Sequence, residues 1–351
     1  MVTYRPRYVY VESKVRQAPL TEHILRSLSG CPVYEIQDHR RLEEESLPLQ
    51  GRDTGMKHQV LVLAYHPGPC IRPFPGSSED SSPSEFFVAH ANGCPFDCQY
   101  CFLQGYFEHD APVLFVNQED LLDELADHLK RNVHRGPTVY HTGELSDALA
   151  LESWSGFASA AIPLFRDFPE ARLELRTKCA DMEDLLPDGP PQNITVSWTL
   201  TPWEAWQRYE HGTPNPLLRL KSARACQEKG YPVGMRLDPA LLVPEWKREY
   251  AMLIQEIYEH LRPGEGGIES FVIGGFRYSP ALGSRIQERF PSNALLLPEF
   301  VRCKDGKHRY FRPLRVSLYR EIIRQIQRHD PGTPIHLCME TDQVRRDVFE
   351  G

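Results

Sequence analysis

Gly93-Cys94-Pro95-Phe96-Asp97-Cys98-Gln99-Tyr100-Cys101-Phe102 constrains this chain more than any other stretch, because Cys94, Cys98 and Cys101 fall within eight residues. Thiolates held this close, with a glycine and a proline to bend the backbone around something, suit an iron–sulfur cluster or a zinc ion. Three ligands leave one metal corner open. A structural zinc site closes with four ligands, whereas an open iron position is where substrate or cofactor binds, so the missing fourth cysteine favours chemistry. The alternatives are a zinc site completed by a distant His90 or His109, and three buried structural cysteines. No second cysteine pair completes a zinc set, and buried free cysteines rarely gather this way.

With 351 residues, 41% of them hydrophobic, the chain can fill one large α/β barrel or two modest domains. There is no apolar run of eighteen residues and no apolar segment behind the N-terminal Met1, which reads as a cytoplasmic protein without a membrane partner. Nine cysteines, an odd number scattered outside the triplet, fit a reducing compartment better than a disulfide framework. The formal net charge of −8 argues against a generally basic surface, though it leaves room for a local basic patch.

Residues 1–83 read as an N-terminal α/β region with strands over 9–12 and 59–65 and a helix over 20–29, closing in a proline- and serine-rich loop or linker over 67–84. Residues 84–290 then alternate strand and helix patterns. Strands are expected over 86–90, 138–142, 173–177, 194–198, 232–237 and 270–274. Helices are expected over 118–131, 152–165, 181–186, 216–229, 246–261 and 282–289. Six βα units make a parallel sheet in an open, partial (β/α)6 barrel, in which catalytic groups gather at the C-terminal ends of strands. The cysteine loop follows the first of these strands. Residues 291–351 add a basic hairpin, a helix over 314–327 and a strand over 334–340, read as a substrate-binding region.

The spacing Cys-x3-Cys-x2-Cys with Tyr100 before the last cysteine resembles the cluster loop of the radical S-adenosylmethionine (SAM) superfamily. The resemblance implies a [4Fe-4S] cluster on Cys94, Cys98 and Cys101, with SAM on the fourth iron, its cleavage to a 5′-deoxyadenosyl radical, and a reducing partner such as flavodoxin or ferredoxin. Thr142-Gly143-Glu144 lies where that superfamily has a Gly-Gly-Glu-like turn for the SAM ammonium. A carboxylate suits an ammonium and glycine permits close approach. Ser146 and Asp147 join Glu144 as SAM-binding candidates; their other reading is the cap of an ordinary helix start. Lys178 is a candidate for the SAM carboxylate, or a solvated strand-end charge. Arg236, with Asp238, and Arg277 suit adenosine, ribose or substrate, or salt bridges at the barrel mouth. Tyr100 and Arg277 are the candidate catalytic residues. In the basic run, Lys304, Lys307, Arg309, Tyr310 and Arg312 suit a phosphate backbone with base stacking, around a turn at Asp305-Gly306. The alternative is a solvated hairpin balancing an acidic protein.

Beyond the superfamily, the chain resembles the spore photoproduct lyase family of DNA photolesion repair enzymes. The likeness runs through Arg5-Pro6-Arg7-Tyr8-Val9-Tyr10, the cysteine loop to Gln104, Ser146-Asp147, Thr177-Lys178 and Gly275-Phe276-Arg277-Tyr278-Ser279-Pro280-Ala281-Leu282. It continues in Asp305-Gly306-Lys307, Arg309-Tyr310-Phe311 and Leu337-Cys338-Met339-Glu340. It implies hydrogen abstraction from a DNA lesion or modified base. Two positions depart from the family: Glu144 stands where the resemblance implies a hydrogen-donating cysteine, and Phe102 where it implies a tyrosine. A carboxylate cannot return a hydrogen atom as a thiol can, so the final quench is expected to differ. Cys179 is either a relocated donor or a small buried hydrophobe. The competing functions are a radical SAM enzyme on a small molecule or peptide, and a non-catalytic iron–sulfur protein that senses redox state or binds nucleic acid. A monomer is expected.

Overall fold

The computed structural model describes residues 4–42, 59–74, 84–134, 136–263 and 267–351. Contacts divide the chain into two units, Met1–Asp97 with Tyr106–Thr195, and Cys98–Gly105 with Val196–Gly351. The three contiguous segments expected from composition do not coincide with these units, because the division falls inside the cysteine loop and again after residue 195.

The first unit holds a five-stranded sheet in the order β2 (Val33–Ile36), β1 (Tyr8–Glu12), β3 (Val60–Ala64), β8 (Val113–Phe115) and β6 (Ala91–Asn92). The five residues of β3 are all buried, the continuous apolar run that a parallel strand covered on both faces requires. A second run of strands pairs β4 (Ile71–Pro73) antiparallel to β5 (Glu85–Val88), then β5 parallel to β9 (Thr138–Thr142) and β9 parallel to β10 (Ala171–Thr177). Strand β4 lies within the stretch expected to be an irregular linker. Its proline ends an edge strand, where no ladder N–H is required; positions 75–83 of that expected linker lie outside the described residues.

Helix α1 (Pro19–Ser27) and helix α2 (Gln118–Asn132) follow their sequence patterns. In α2, Leu121, Leu125 and Leu129 repeat every four residues and are buried, with acids in the first turn and bases in the last. The single helix expected over 152–165 is instead α3 (Glu152–Ser155), α4 (Phe157–Ala161) and a 3-10 stretch, Ile162–Asp167. Gly156 at φ +60° breaks it. The buried Glu152 carboxylate accepts from the N–H groups of Ala158 and Ser159, at 3.0 and 2.9 Å, and so caps the second piece. The helix expected over 181–186 is a single 3-10 turn, Glu183–Leu185.

In the second unit β11 (Ile194–Thr199), β13 (Val233–Ala240), β14 (Ile268–Gly275) and β18 (Ile335–Leu337) pair in parallel order. Their helices are α5 (Trp203–Tyr209), α6 (Pro216–Glu228), α7 (Trp246–His260), α8 (Pro280–Arg289), α9 (Arg312–His329) and α10 (Asp342–Phe349). Helices α6 and α8 each begin with a proline behind a capping side chain, Asn215 and Ser279. The expected hairpin is part of a three-stranded antiparallel sheet in the order β15 (Arg277–Tyr278), β17 (His308–Tyr310) and β16 (Phe300–Arg302), with Gly306 at φ +79° in its turn. A short pair joins β7 (Asp97–Cys98) to β12 (Glu210–His211). No helix among the described residues is long and apolar enough to cross a membrane.

Candidate active site

The cysteine loop is pinned by its own backbone. Cys94 belongs to the first unit, Cys98 and Cys101 to the second, and none of the nine cysteines is in a disulfide among the described residues. The Cys101 N–H donates to the Cys98 carbonyl at 3.1 Å, and the Gln104 side chain donates to the carbonyls of Cys98 and Gln99 at 2.9 and 2.7 Å. Arg289 in turn donates to the Gln104 side-chain oxygen. Tyr100 is buried and its hydroxyl donates to Glu210, which is wholly buried. The candidate catalytic phenol is therefore engaged in the interior of its unit, while Phe102 is 43% exposed.

In the first unit the turn after β9 is shaped by Gly143, at φ +93°, where a Cβ would lie 2.5 Å from the Arg176 carbonyl oxygen. Only glycine fits. Of the SAM-binding candidates on this turn, Asp147 is fully engaged. Its carboxylate accepts from the N–H groups of Leu149, Ala150 and Lys178 and the hydroxyl of Thr177, at 3.0, 3.1, 2.7 and 2.8 Å. It ties the end of β10 to the turn and caps no helix, since the next one, α3, starts behind Leu151. Ser146 differs: its hydroxyl is buried with no hydrogen-bond partner among the described residues. Glu144 meets Arg176 at 3.4 Å. Arg176 also donates to Glu174 at 2.8 Å, and the Phe74 ring lies against its guanidinium. Lys178 is partly buried, and its backbone N–H donates to Asp147.

Cys179, weighed as a relocated donor, is 5% exposed with its thiol directed at Asp147. Burial first, then Asp147, pushes that thiol well above its usual range. Of the histidines considered as zinc ligands, His90 stacks on Phe157 at 4.8 Å and is lowered to about 4 by burial. His109 is hydrogen-bonded through Nε2 to the His39 carbonyl.

In the second unit Arg277 donates to Asp238 at 2.9 Å, with Arg236 at 4.0 Å from the same carboxylate. The Cys338 thiol lies 3.6 Å from Arg277, pushed up to about 12 by burial and Asp238. The basic run divides by exposure. Lys304 and Arg312 are exposed and Lys307 is partly so. Arg309 is buried in a two-point pair with Asp305, and Tyr310 is 1% exposed with its oxygen accepting from the Leu242 N–H. Arg309 and Tyr310 thus build the hairpin instead of presenting a stacking surface. Sequence reasoning missed Arg176, Glu210 and Arg219. The signal available for Glu210 and Arg219 was two charges nine residues apart beside buried apolar positions, which resembles any solvated helix flank.

The donor set fits a [4Fe-4S] cluster with SAM: soft thiols at the right spacing, a buried hydroxyl without a partner, and a carboxylate facing Arg176 on a glycine turn. Solved structures share this fold. A spore photoproduct lyase complexed with dinucleoside spore photoproduct matches with a TM-score of 0.81 at 20% identity, over 95% of this chain and 99% of that one. A variant with bound AdoMet and the dinucleoside gives 0.81 over 94% and 98%, and another variant 0.83 over 96% and 100%. The shared fold is the expected partial barrel. Residues 4–329 match the sequence model of spore photoproduct lyase, and the chain belongs to the spore photoproduct lyase family. A spore photoproduct lyase of Clostridium acetobutylicum is 28% identical over 214 residues, 60% of this chain and 62% of that protein, so the match spans less than two thirds of that relative.

Proposed function

We propose that this chain is a radical SAM enzyme that abstracts hydrogen from a lesion or modified base in nucleic acid. The observation that carries the reading is the turn after β9, where a buried hydroxyl and a carboxylate facing Arg176 stand ready in a chain with three closely spaced cysteines outside any disulfide. The bound cluster and SAM would supply reductive cleavage to a 5′-deoxyadenosyl radical. Cys94, Cys98 and Cys101 would hold the cluster as thiolates. Glu144 would accept the SAM ammonium, Ser146 would supply a hydroxyl at its side, and Lys178 would balance the SAM carboxylate. Asp147 holds the backbone at Lys178 and at Leu149 and Ala150 in the turn that follows Ser146. Arg236 and Arg277, fixed by Asp238, would present cationic charge to ribose or substrate.

A nucleic-acid substrate is supported by the family and by relatives solved with a dinucleoside photolesion. Lys304, Lys307 and Arg312 would meet phosphate. Glu144 cannot return a hydrogen atom, so the quench must run through another group. The reading includes a small reducing partner such as flavodoxin or ferredoxin, a monomer, and the cytoplasm, where nine thiols stay reduced.

Anaerobic reconstitution followed by dithionite and SAM should yield 5′-deoxyadenosine; none from fully loaded protein sinks the enzyme reading. The net charge of −8 favours a second reading, a small molecule or peptide substrate. A gel shift showing no DNA or RNA affinity at low salt would decide for that second reading.

A further inference from the structure

We propose that Glu210 is a positioning residue for the cysteine loop, holding through the Tyr100 hydroxyl the backbone that carries Cys98 and Cys101. The inference rests on the loop being cluster-binding, and concerns a residue that the spacing of the cysteines does not touch.

Tyr100 sits between the two thiols and turns its phenol inward, where the hydroxyl donates to Glu210. The carboxylate is wholly buried and is met on its other side by Arg219, also wholly buried. Thr201 adds a hydroxyl at 3.0 Å. Arg219 is fixed in turn, donating to the Thr199 and Pro214 carbonyls at 3.0 and 2.9 Å. The tether therefore ends on the last residue of β11 and on the buried Pro214 ahead of α6. Hydrogen bonds to an ion-paired carboxylate are shorter and stronger than neutral ones, so the phenol has one favoured direction.

Further contacts act on the preceding loop residue. The Gln99 N–H donates to the Tyr209 carbonyl at 2.8 Å, and its side-chain amide donates to the Arg208 carbonyl at 3.1 Å and lies 2.9 Å from His211 Nε2. Four consecutive residues, 208 to 211, thus hold two consecutive residues of the loop. The backbone on either side of Tyr100 sets where the thiols of Cys98 and Cys101 emerge. Partners one step removed from metal ligands typically change metal retention by tenfold or more.

Wild type, Tyr100→Phe and Glu210→Gln would be reconstituted anaerobically and compared for iron and sulfide content, iron loss to bathophenanthroline disulfonate, and the EPR spectrum of the dithionite-reduced protein. Tyr100→Phe should load, then lose iron roughly tenfold faster than wild type, with shifted and broadened g-features. A purely structural role would move the melting temperature and leave the spectrum of the loaded protein alone. Should Glu210→Gln fail to fold, Tyr100→Phe decides, because it removes only the hydroxyl. Wild-type iron loss and spectrum in Tyr100→Phe overturn the inference. A wild type that takes up no iron overturns the cluster reading and this inference with it.

Discussion

Ser146 and Asp147 are neighbours on one turn, yet the structure gives them opposite occupations. Asp147 spends its carboxylate on protein donors, whereas the Ser146 hydroxyl has none. Removing a buried, unsatisfied hydroxyl costs little or even stabilises. Ser146→Ala should therefore leave the melting temperature unchanged or slightly raised, while SAM affinity measured by calorimetry falls about tenfold, the worth of one hydrogen bond. Asp147→Ala should instead lose about 2–4 kcal/mol in chemical denaturation by orphaning buried donors. Far from this turn, Glu12 is held at a pKa of about 2: burial would raise it, but hydrogen bonds from the His39 ring, the His39 N–H and the Tyr65 N–H lower it further. A carboxyl depressed on folding stabilises above its unfolded value near 4 and loses that contribution as pH falls toward 2. Stability measured between pH 5 and 2 should fall accordingly, and Glu12→Gln should flatten that slope. The cysteines were legible because their spacing is itself the signal. Glu210 and Arg219 were not, because a buried ion pair and a solvated one share the same letters.

Elements with strong periodicity were read from sequence nearly to the residue, as in α2, α7 and β9. Misreadings arose where a local breaker was decisive. The helix expected over 152–165 ends at Gly156, whose left-handed conformation costs an alanine about 1 kcal/mol even though no atom lies within 4 Å of its Cβ. Gly156→Ala should lose about that much stability in urea denaturation. Strand β4 was hidden by proline and serine around it, and α5 and α10 by mixed composition. The basic hairpin was found, but its division by burial was not: Arg309 and Tyr310 are both buried while Lys304 is exposed. Lys304→Ala with Lys307→Ala should lower the salt slope of nucleic-acid binding by about two, near one for each phosphate contact, in a filter-binding titration. Arg309→Ala should act on stability, through Asp305, more than on that slope.

Across the whole molecule, composition divided the chain into contiguous segments whereas contacts divide it discontinuously, returning residues 98–105 to the later unit. The cysteine loop is the reason: β7 pairs with β12, and Gln99 and Tyr100 bond to residues 208–210, more than a hundred positions along the chain. The partial barrel was legible as a count of βα repeats, while the membership of the cysteine loop depended on contacts such as Gln99 to Tyr209 that no local window contains. The brace at Asp147 has a consequence for a protein that would work with an oxygen-labile centre. Its partners are backbone amides, a threonine and a cysteine of the same unit, so that corner of the site does not draw its rigidity from the cargo. Exposure to air would then strip the metal while leaving the receptacle standing, and damage of that kind is mended by reloading iron and sulfide, with no new polypeptide to synthesise.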